Sequence, residues 1–161
     1  MSNSAHLELE TIEHGLRFAV TAGSGQSTTT DSGKEMQAPS PIELLLIALA
    51  ACHAMDVIEI LRKKRQRVTA YAVDISGERR AEHPRSFTSI EVVHRLRGHE
   101  ISAIAVESAI RLSETKYCSV HASLDPKIAM TSRFEILPAG AASARPPRPR
   151  PRFRRGTGSP S

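Results

Sequence analysis

The stretch that decides the fold is SPIELLLIALAACHAM, residues 40–55. Ser40 is a helix-capping residue, Pro41 suits the first helical position, and Glu43 stands three residues after the cap, as in a capping box. The residues from Leu44 to Met55 carry no charge, so the predicted helix, which can run to about Gln66, is apolar on every face there. A membrane span needs about 20 such residues. The pattern therefore predicts a helix buried in the core of the protein.

Alternating apolar residues predict strands on both sides of this helix. They lie at 7–11 and 16–20, with a short edge strand at 28–30, and after the helix at 71–75, 90–96 and 134–137. A polar loop at 78–85 joins the middle pair as a hairpin. A second helix is predicted from Ile101 to Leu112, and a short third one around Cys118. This order is typical of an α+β domain.

A helix that is apolar on all sides cannot be covered by one small sheet. The simplest remedy is a second copy of the chain, so a homodimer is expected from the burial requirement alone.

The charge of the chain is unevenly distributed. The 161 residues carry a formal net charge of +5, but residues 139–161 hold six arginines and no acid, which leaves 16 basic and 17 acidic residues in 1–138. We expect one domain over 1–138 and a disordered, Pro/Arg-rich tail over 139–161. The near-neutral body argues against nucleic-acid binding, so such binding would depend on the tail alone.

The chain contains only two cysteines, Cys52 and Cys118. Cys52 ends the apolar run, and Cys118 follows the second helical pattern. Since the N-terminus shows no secretory signal, we expect a cytoplasmic protein whose thiols are reduced. A cysteine in an apolar helix is ordinarily an inert core residue. Two thiols together can instead act as a nucleophile and its resolving partner.

Three motifs resemble those of the OsmC/Ohr family. Pro41-x-Glu43-Leu44-Leu45-Leu46-x-Ala48-Leu49-x-Ala51-Cys52 is similar to the family's central-helix motif, and Tyr117-Cys118-Ser119-Val120 is similar to its second cysteine motif. Asp56-Val57 and Lys63-Lys64-Arg65-Gln66 resemble the YhfA-like branch of that family. The resemblance covers roughly residues 6–137.

The resemblance implies an OsmC-like fold, in which antiparallel sheets wrap long central helices in an intertwined homodimer with the thiols at the subunit interface. It further implies reduction of organic hydroperoxides without a cofactor. Cys52 would attack the peroxide, Cys118 would resolve the sulfenic acid as a disulfide, and a dithiol or lipoylated reductant would restore both. The family's arginine and glutamate would correspond to Arg17 and Glu43.

Two positions depart from the peroxidase pattern. The expected glutamate lies ten residues before the first cysteine, where this chain has Ile42, and the second cysteine is followed by Ser119 rather than proline. Glu43 also has a structural role available in the capping box. The alternative hypothesis is therefore an OsmC-fold protein that binds a small molecule or assists in stress without efficient peroxidase turnover.

Metal and membrane binding are not expected. Cys118-x-x-His121 and the adjacent Cys52-His53 offer ligand types, but neighbouring helix residues diverge by about 100° and no C-x-x-C pair exists. His94, on the apolar side of its predicted strand, is interpreted as a core histidine.

Overall fold

The computed structural model describes residues 3–12, 15–33 and 35–140. It confirms the predicted α+β class. The elements in chain order are β1 (Ala5–Thr11), β2 (Leu16–Ala22), β3 (Ser27–Ser32), α1 (Pro41–Lys63), β4 (Arg67–Arg79), β5 (Phe87–His99), α2 (Ala103–Leu112), a π-helical turn (Ser113–Tyr117), α3 (Ser119–Ala122) and β6 (Ala129–Pro138). Of the predicted tail, residues 141–161 lie outside the described chain.

The start of α1 follows the sequence prediction. The Ser40 backbone N–H donates to Glu43 Oε2 over 2.8 Å, and the Glu43 N–H donates to Ser40 Oγ over 3.4 Å. This capping box satisfies backbone donors that have no partner inside the helix. It fixes where α1 begins and therefore which residues it presents to the core.

The end of α1 comes earlier than predicted, at Lys63 rather than near Gln66. Arg65 adopts a left-handed backbone with φ of 56°. Its N–H donates to the Arg62 carbonyl over 2.9 Å, and the Gln66 N–H donates to the Leu61 carbonyl over 3.0 Å. This pattern is a Schellman closure, which turns the chain directly into β4.

The six strands form two separate three-stranded sheets, in the orders β1-β2-β3 and β4-β5-β6. The first sheet and the β4–β5 hairpin are antiparallel, as expected, but β6 lies parallel to β5. The second sheet is thus mixed rather than antiparallel. The reason is the connection: α2, the π-helical turn and α3 carry the chain back across the sheet, as a parallel pairing requires.

One side of α1 forms the core, and another side is open within the chain. The buried residues recur every fourth position, as a single stripe packed toward the second sheet and α2: Leu49, His53, Val57 and Leu61. On other faces Ile47 is 50% exposed and Met55 is 69% exposed. By length and composition alone α1 could also cross a membrane, a property it shares with core helices of soluble proteins.

Candidate thiol site

Cys52 is held by the middle of α1, beside the buried stripe. It is half-buried and packs against a cluster that includes Leu49, Val92 and Cys118. Because the capping box fixes the start of the helix, the position of Cys52 along the second sheet is fixed as well. The Cys52 thiol, which the apolar run predicted to lie in the core, therefore lies at the edge of the core.

Cys118 stands at the start of α3 rather than within a helix. Its backbone is extended, and its own N–H donates to the Ser113 carbonyl over 2.9 Å, closing the π-helical turn. Its Sγ accepts from the His121 backbone N–H over 3.3 Å and so serves as the N-cap of α3. Only 2% of Cys118 is exposed. The predicted short helix is confirmed, with the cysteine as its cap.

The two thiols meet at one place together with a carboxylate. Cys52 Sγ, Cys118 Sγ and an oxygen of Asp56 all lie within 4.8 Å of one another. Cys52 and Asp56 are four residues apart on α1 and hence share a helix face. Both thiols are free, and a disulfide between them would bring the sulfurs to about 2 Å.

The environment of Cys118 keeps its thiol protonated. Burial raises the pKa of the Cys118 thiol to about 12, and hydrogen bonding with the Cys52 thiol acts in the same direction. The backbone N–H groups of His121 and Val120 act the other way, because they stabilise a thiolate. At neutral pH Cys118 must therefore lose a proton before it can attack another sulfur.

Asp56 is itself held in place. Its Oδ2 accepts from Ser113 Oγ over 2.9 Å, and Ser113 is fully buried in the π-helical turn. In the sequence, Asp56 stands out only as part of the Asp56-Val57 motif, which assigns it no role. Its spacing of four residues from Cys52 was the feature of the sequence from which a place near the thiol could have been predicted. No local pattern predicts Ser113, because it reaches the site through a contact between distant positions of the chain.

The same three groups are ligand types that a thiophilic metal ion accepts. His53 and His121, the histidines beside the two cysteines in the sequence, do not belong to this group of ligand atoms. Their rings bond to each other instead, with 3.3 Å between His53 Nε2 and His121 Nδ1.

Three histidines, from α1, β5 and α3, form a row of nearly parallel rings. The ring planes of His121 and His53 differ by 5° and those of His53 and His94 by 10°. Tyr71 extends the row, with 2.6 Å between its Oη and His94 Nδ1. Burial lowers the pKa of His94 to about 4 and also lowers that of His53. His94 is thus buried in the core, as predicted, but its hydrogen bonding is incomplete. Its Nδ1 bonds to Tyr71, whereas its Nε2 has no partner within the described residues.

The other two predicted site residues have partners elsewhere in the chain. Arg17 on β2 donates to Asp31 Oδ2 on β3 through Nε and a terminal nitrogen, over 3.3 and 3.1 Å. Glu43 is occupied by Ser40 in the capping box. Within the described residues, no hydrogen bond or ion pair joins either side chain to a thiol of the same chain.

The chain is similar to one protein family in sequence and to solved structures in fold. The family model described as OsmC-like protein matches residues 32–133. Protein YhfA of Escherichia coli K12 is 38% identical over 125 residues, which cover 78% of this chain and 93% of that protein. The crystal structure of a hypothetical protein from Aquifex aeolicus VF5 is 31% identical, with a TM-score of 0.75 over 86% of this chain and 98% of that one.

A more distant structure shares the fold alone. It belongs to the organic hydroperoxide resistance protein OsmC of Legionella pneumophila, which is 11% identical, with a TM-score of 0.60 over 84% of this chain and 97% of that one.

Proposed function

The chain belongs to the OsmC-like protein family, and on that premise we propose that it reduces organic hydroperoxides with Cys52 as the attacking thiol and Cys118 as the resolving thiol. The observation that carries the proposal is the meeting of the two sulfurs within 4.8 Å. Although 66 positions separate the cysteines in the chain, the fold brings together two free thiols at one site.

The order of the two thiols follows from their exposure. Cys52 is half-buried, whereas only 2% of Cys118 is accessible, so a peroxide reaches Cys52 first. Attack on the distal peroxide oxygen gives an alcohol and a sulfenic acid on Cys52. Cys118 then displaces water from that sulfur and forms the disulfide. A dithiol or lipoylated reductant returns both thiols.

The proposed active form is a homodimer. The exposed residues on α1, Ile47 and Met55, need a cover that the second sheet does not provide. In such a dimer the partner chain would also reach toward the half-buried side of Cys52. A cation or carboxylate contributed across that interface would complete the environment that the described chain leaves open around the thiols.

The test is thiol counting after addition of cumene hydroperoxide to the reduced protein. We expect wild type to lose both thiols to an intramolecular disulfide. Cys118→Ser should stop at a sulfenic acid that a dimedone-type reagent traps, and Cys52→Ser should keep its remaining thiol. Retention of both thiols in wild type, or equal oxidation of Cys52→Ser, would exclude the peroxidase.

A second candidate function is favoured by the hydrogen bonds that Arg17 and Glu43 make away from the thiols. Because Asp31 and Ser40 bind these side chains, neither the arginine nor the glutamate that the family resemblance implies reaches a thiol within the described residues. The protein would then bind a small apolar molecule or assist in stress without efficient turnover. Peroxide reduction at the rate of dedicated peroxidases would exclude this candidate, whereas a slow single turnover would favour it.

A further inference from the structure

Of the aspartate, glutamate and histidine side chains in the described part of the chain, only Asp56 has an atom within 4.8 Å of both sulfurs. From this placement we infer that Asp56 is a catalytic residue of the thiol pair, which takes the proton from Cys118 as that thiol attacks Cys52. The inference rests on the proposed thiol chemistry and adds a group that neither the sequence nor the relatives' names assign. It extends the site from two residues to three.

The need for a proton acceptor comes from the burial of Cys118. A buried thiol with 2% exposure has little contact with water, and the thiolate is the attacking species. The imidazoles of His53 and His121 are bonded to each other, and neither ring has a nitrogen in the group of atoms that lie within 4.8 Å of both sulfurs. The Asp56 carboxylate does belong to that group and is therefore the acceptor best placed for this proton.

The surroundings of Asp56 suit this role. Ser113, itself fully buried, donates to one carboxylate oxygen and holds the group beside the two sulfurs. Asp56 also borders a cavity of about 340 Å³. The charged or titratable residues that share this cavity are Glu59, Lys63, Lys64 and Tyr117. Of these, Glu59 is engaged by Arg62 and Lys63.

The proposed step balances in protons and electrons. Cys118 gives its proton to the Asp56 carboxylate, and its sulfur forms a bond to the Cys52 sulfur. The sulfur–oxygen bond of the Cys52 sulfenic acid breaks, and the departing hydroxide takes the proton from Asp56 to become water. Asp56 ends as a carboxylate again. The two thiols supply the two electrons that the peroxide accepted.

The attack by Cys118 can be followed without any peroxide. Dithiobisnitrobenzoate reacts first with Cys52, forming a mixed disulfide and releasing one coloured thiolate. Cys118 then displaces a second coloured thiolate and closes the protein disulfide. In a stopped-flow experiment on the full-length protein, the first phase measures Cys52 and the second measures Cys118.

Asp56→Asn keeps the side-chain shape and an oxygen that accepts from Ser113, but it cannot take a proton. We expect this variant to slow the second phase about 100-fold, the size of effect usual for general base catalysis, and to preserve the first phase. Ser113→Ala, which retains the carboxylate but removes its donor, should slow the second phase by a smaller factor. Glu59→Gln removes a nearby carboxylate of the same helix and should change neither phase.

An Asp56→Asn protein whose second phase matches wild type would overturn the inference. If that variant is misfolded by circular dichroism, Asp56→Ala with added formate replaces it: recovery of the second phase supports the role, and no recovery overturns it. Two normal coloured phases in a wild-type protein that is inert to cumene hydroperoxide would end the proposed peroxidase and leave the role of Asp56 intact.

Discussion

At the scale of single residues, His94 makes the stability of the protein depend on pH. Burial, and secondarily the neighbouring His53, holds its pKa at about 4, whereas an unfolded histidine titrates near 6.5. Between these values the unfolded chain binds a proton that the folded chain does not, so the free energy of unfolding falls as the pH falls. The loss attributable to His94 reaches about 3 kcal/mol by pH 4.

The measurement is urea denaturation at several pH values between 7 and 4. His94→Asn, which removes the titrating ring, should give a shallower decline in unfolding free energy than wild type. Tyr71→Phe removes the hydroxyl partner of His94 but leaves the ring buried, so it should keep the wild-type slope. Equal slopes for wild type and His94→Asn would show that His94 does not cause the acid sensitivity.

Of the side chains that the fold brings together at the candidate site, the sequence pointed to the two cysteines but not to Asp56 or Ser113. Cys52 and Cys118 could be predicted because cysteines are rare here and their motifs are distinctive. Asp56 could have been proposed from its four-residue spacing to Cys52, but a helical carboxylate is ordinarily a solvated residue. Ser113 could not be predicted, since its contact with Asp56 spans 57 positions and depends on the π-helical turn.

At the scale of elements, the backbone just after the end of α1 is strained at Arg65, and a substitution can relieve that strain. Arg65 occupies the left-handed region with φ of 56°, which costs a residue with a Cβ about 1 kcal/mol or more. Glycine adopts this conformation freely and is common at this position of a Schellman closure. We therefore expect Arg65→Gly to raise the free energy of unfolding by about 1 kcal/mol, measured by denaturant titration.

Lys63→Gly is the matched control for Arg65→Gly, because Lys63 is the last residue of α1 and glycine is a poor helix former. That variant should lower the unfolding free energy. If both substitutions destabilise the protein, the left-handed conformation of Arg65 is not a source of strain.

The elements themselves were largely predictable because each has a local cause. Capping residues predicted the start of α1, and the alternation of apolar and polar residues predicted the strands. The end of α1 was missed by about three residues because no glycine marks it. The parallel pairing of β6 with β5 was missed because strand direction depends on the crossover through α2 and α3, which no pattern inside β6 contains.

At the scale of the whole molecule, large apolar side chains are exposed both on the first sheet and on α1. In the first sheet, the exposed large side chains include Leu7, Leu9 and Leu16; in α1, they include Ile47 and Met55. The first sheet meets the rest of the chain through β3 beside α1. An interface between subunits would bury exposed apolar side chains of this kind.

The homodimer is therefore the last prediction to be tested, by size-exclusion chromatography with light scattering. Wild type should have twice the 17.6 kDa mass of the chain. Met55→Glu places a charge on the open face of α1, where burial against a partner would desolvate it, and should shift the protein toward the monomer. Lys127→Glu, in an exposed loop, should leave the mass unchanged.

A monomeric wild type would contradict the prediction and would mean that something other than a second copy of the chain covers the open face of α1. A dimer unaffected by Met55→Glu would place the interface on a different surface, away from Cys52, and the partner chain could then not complete the thiol site.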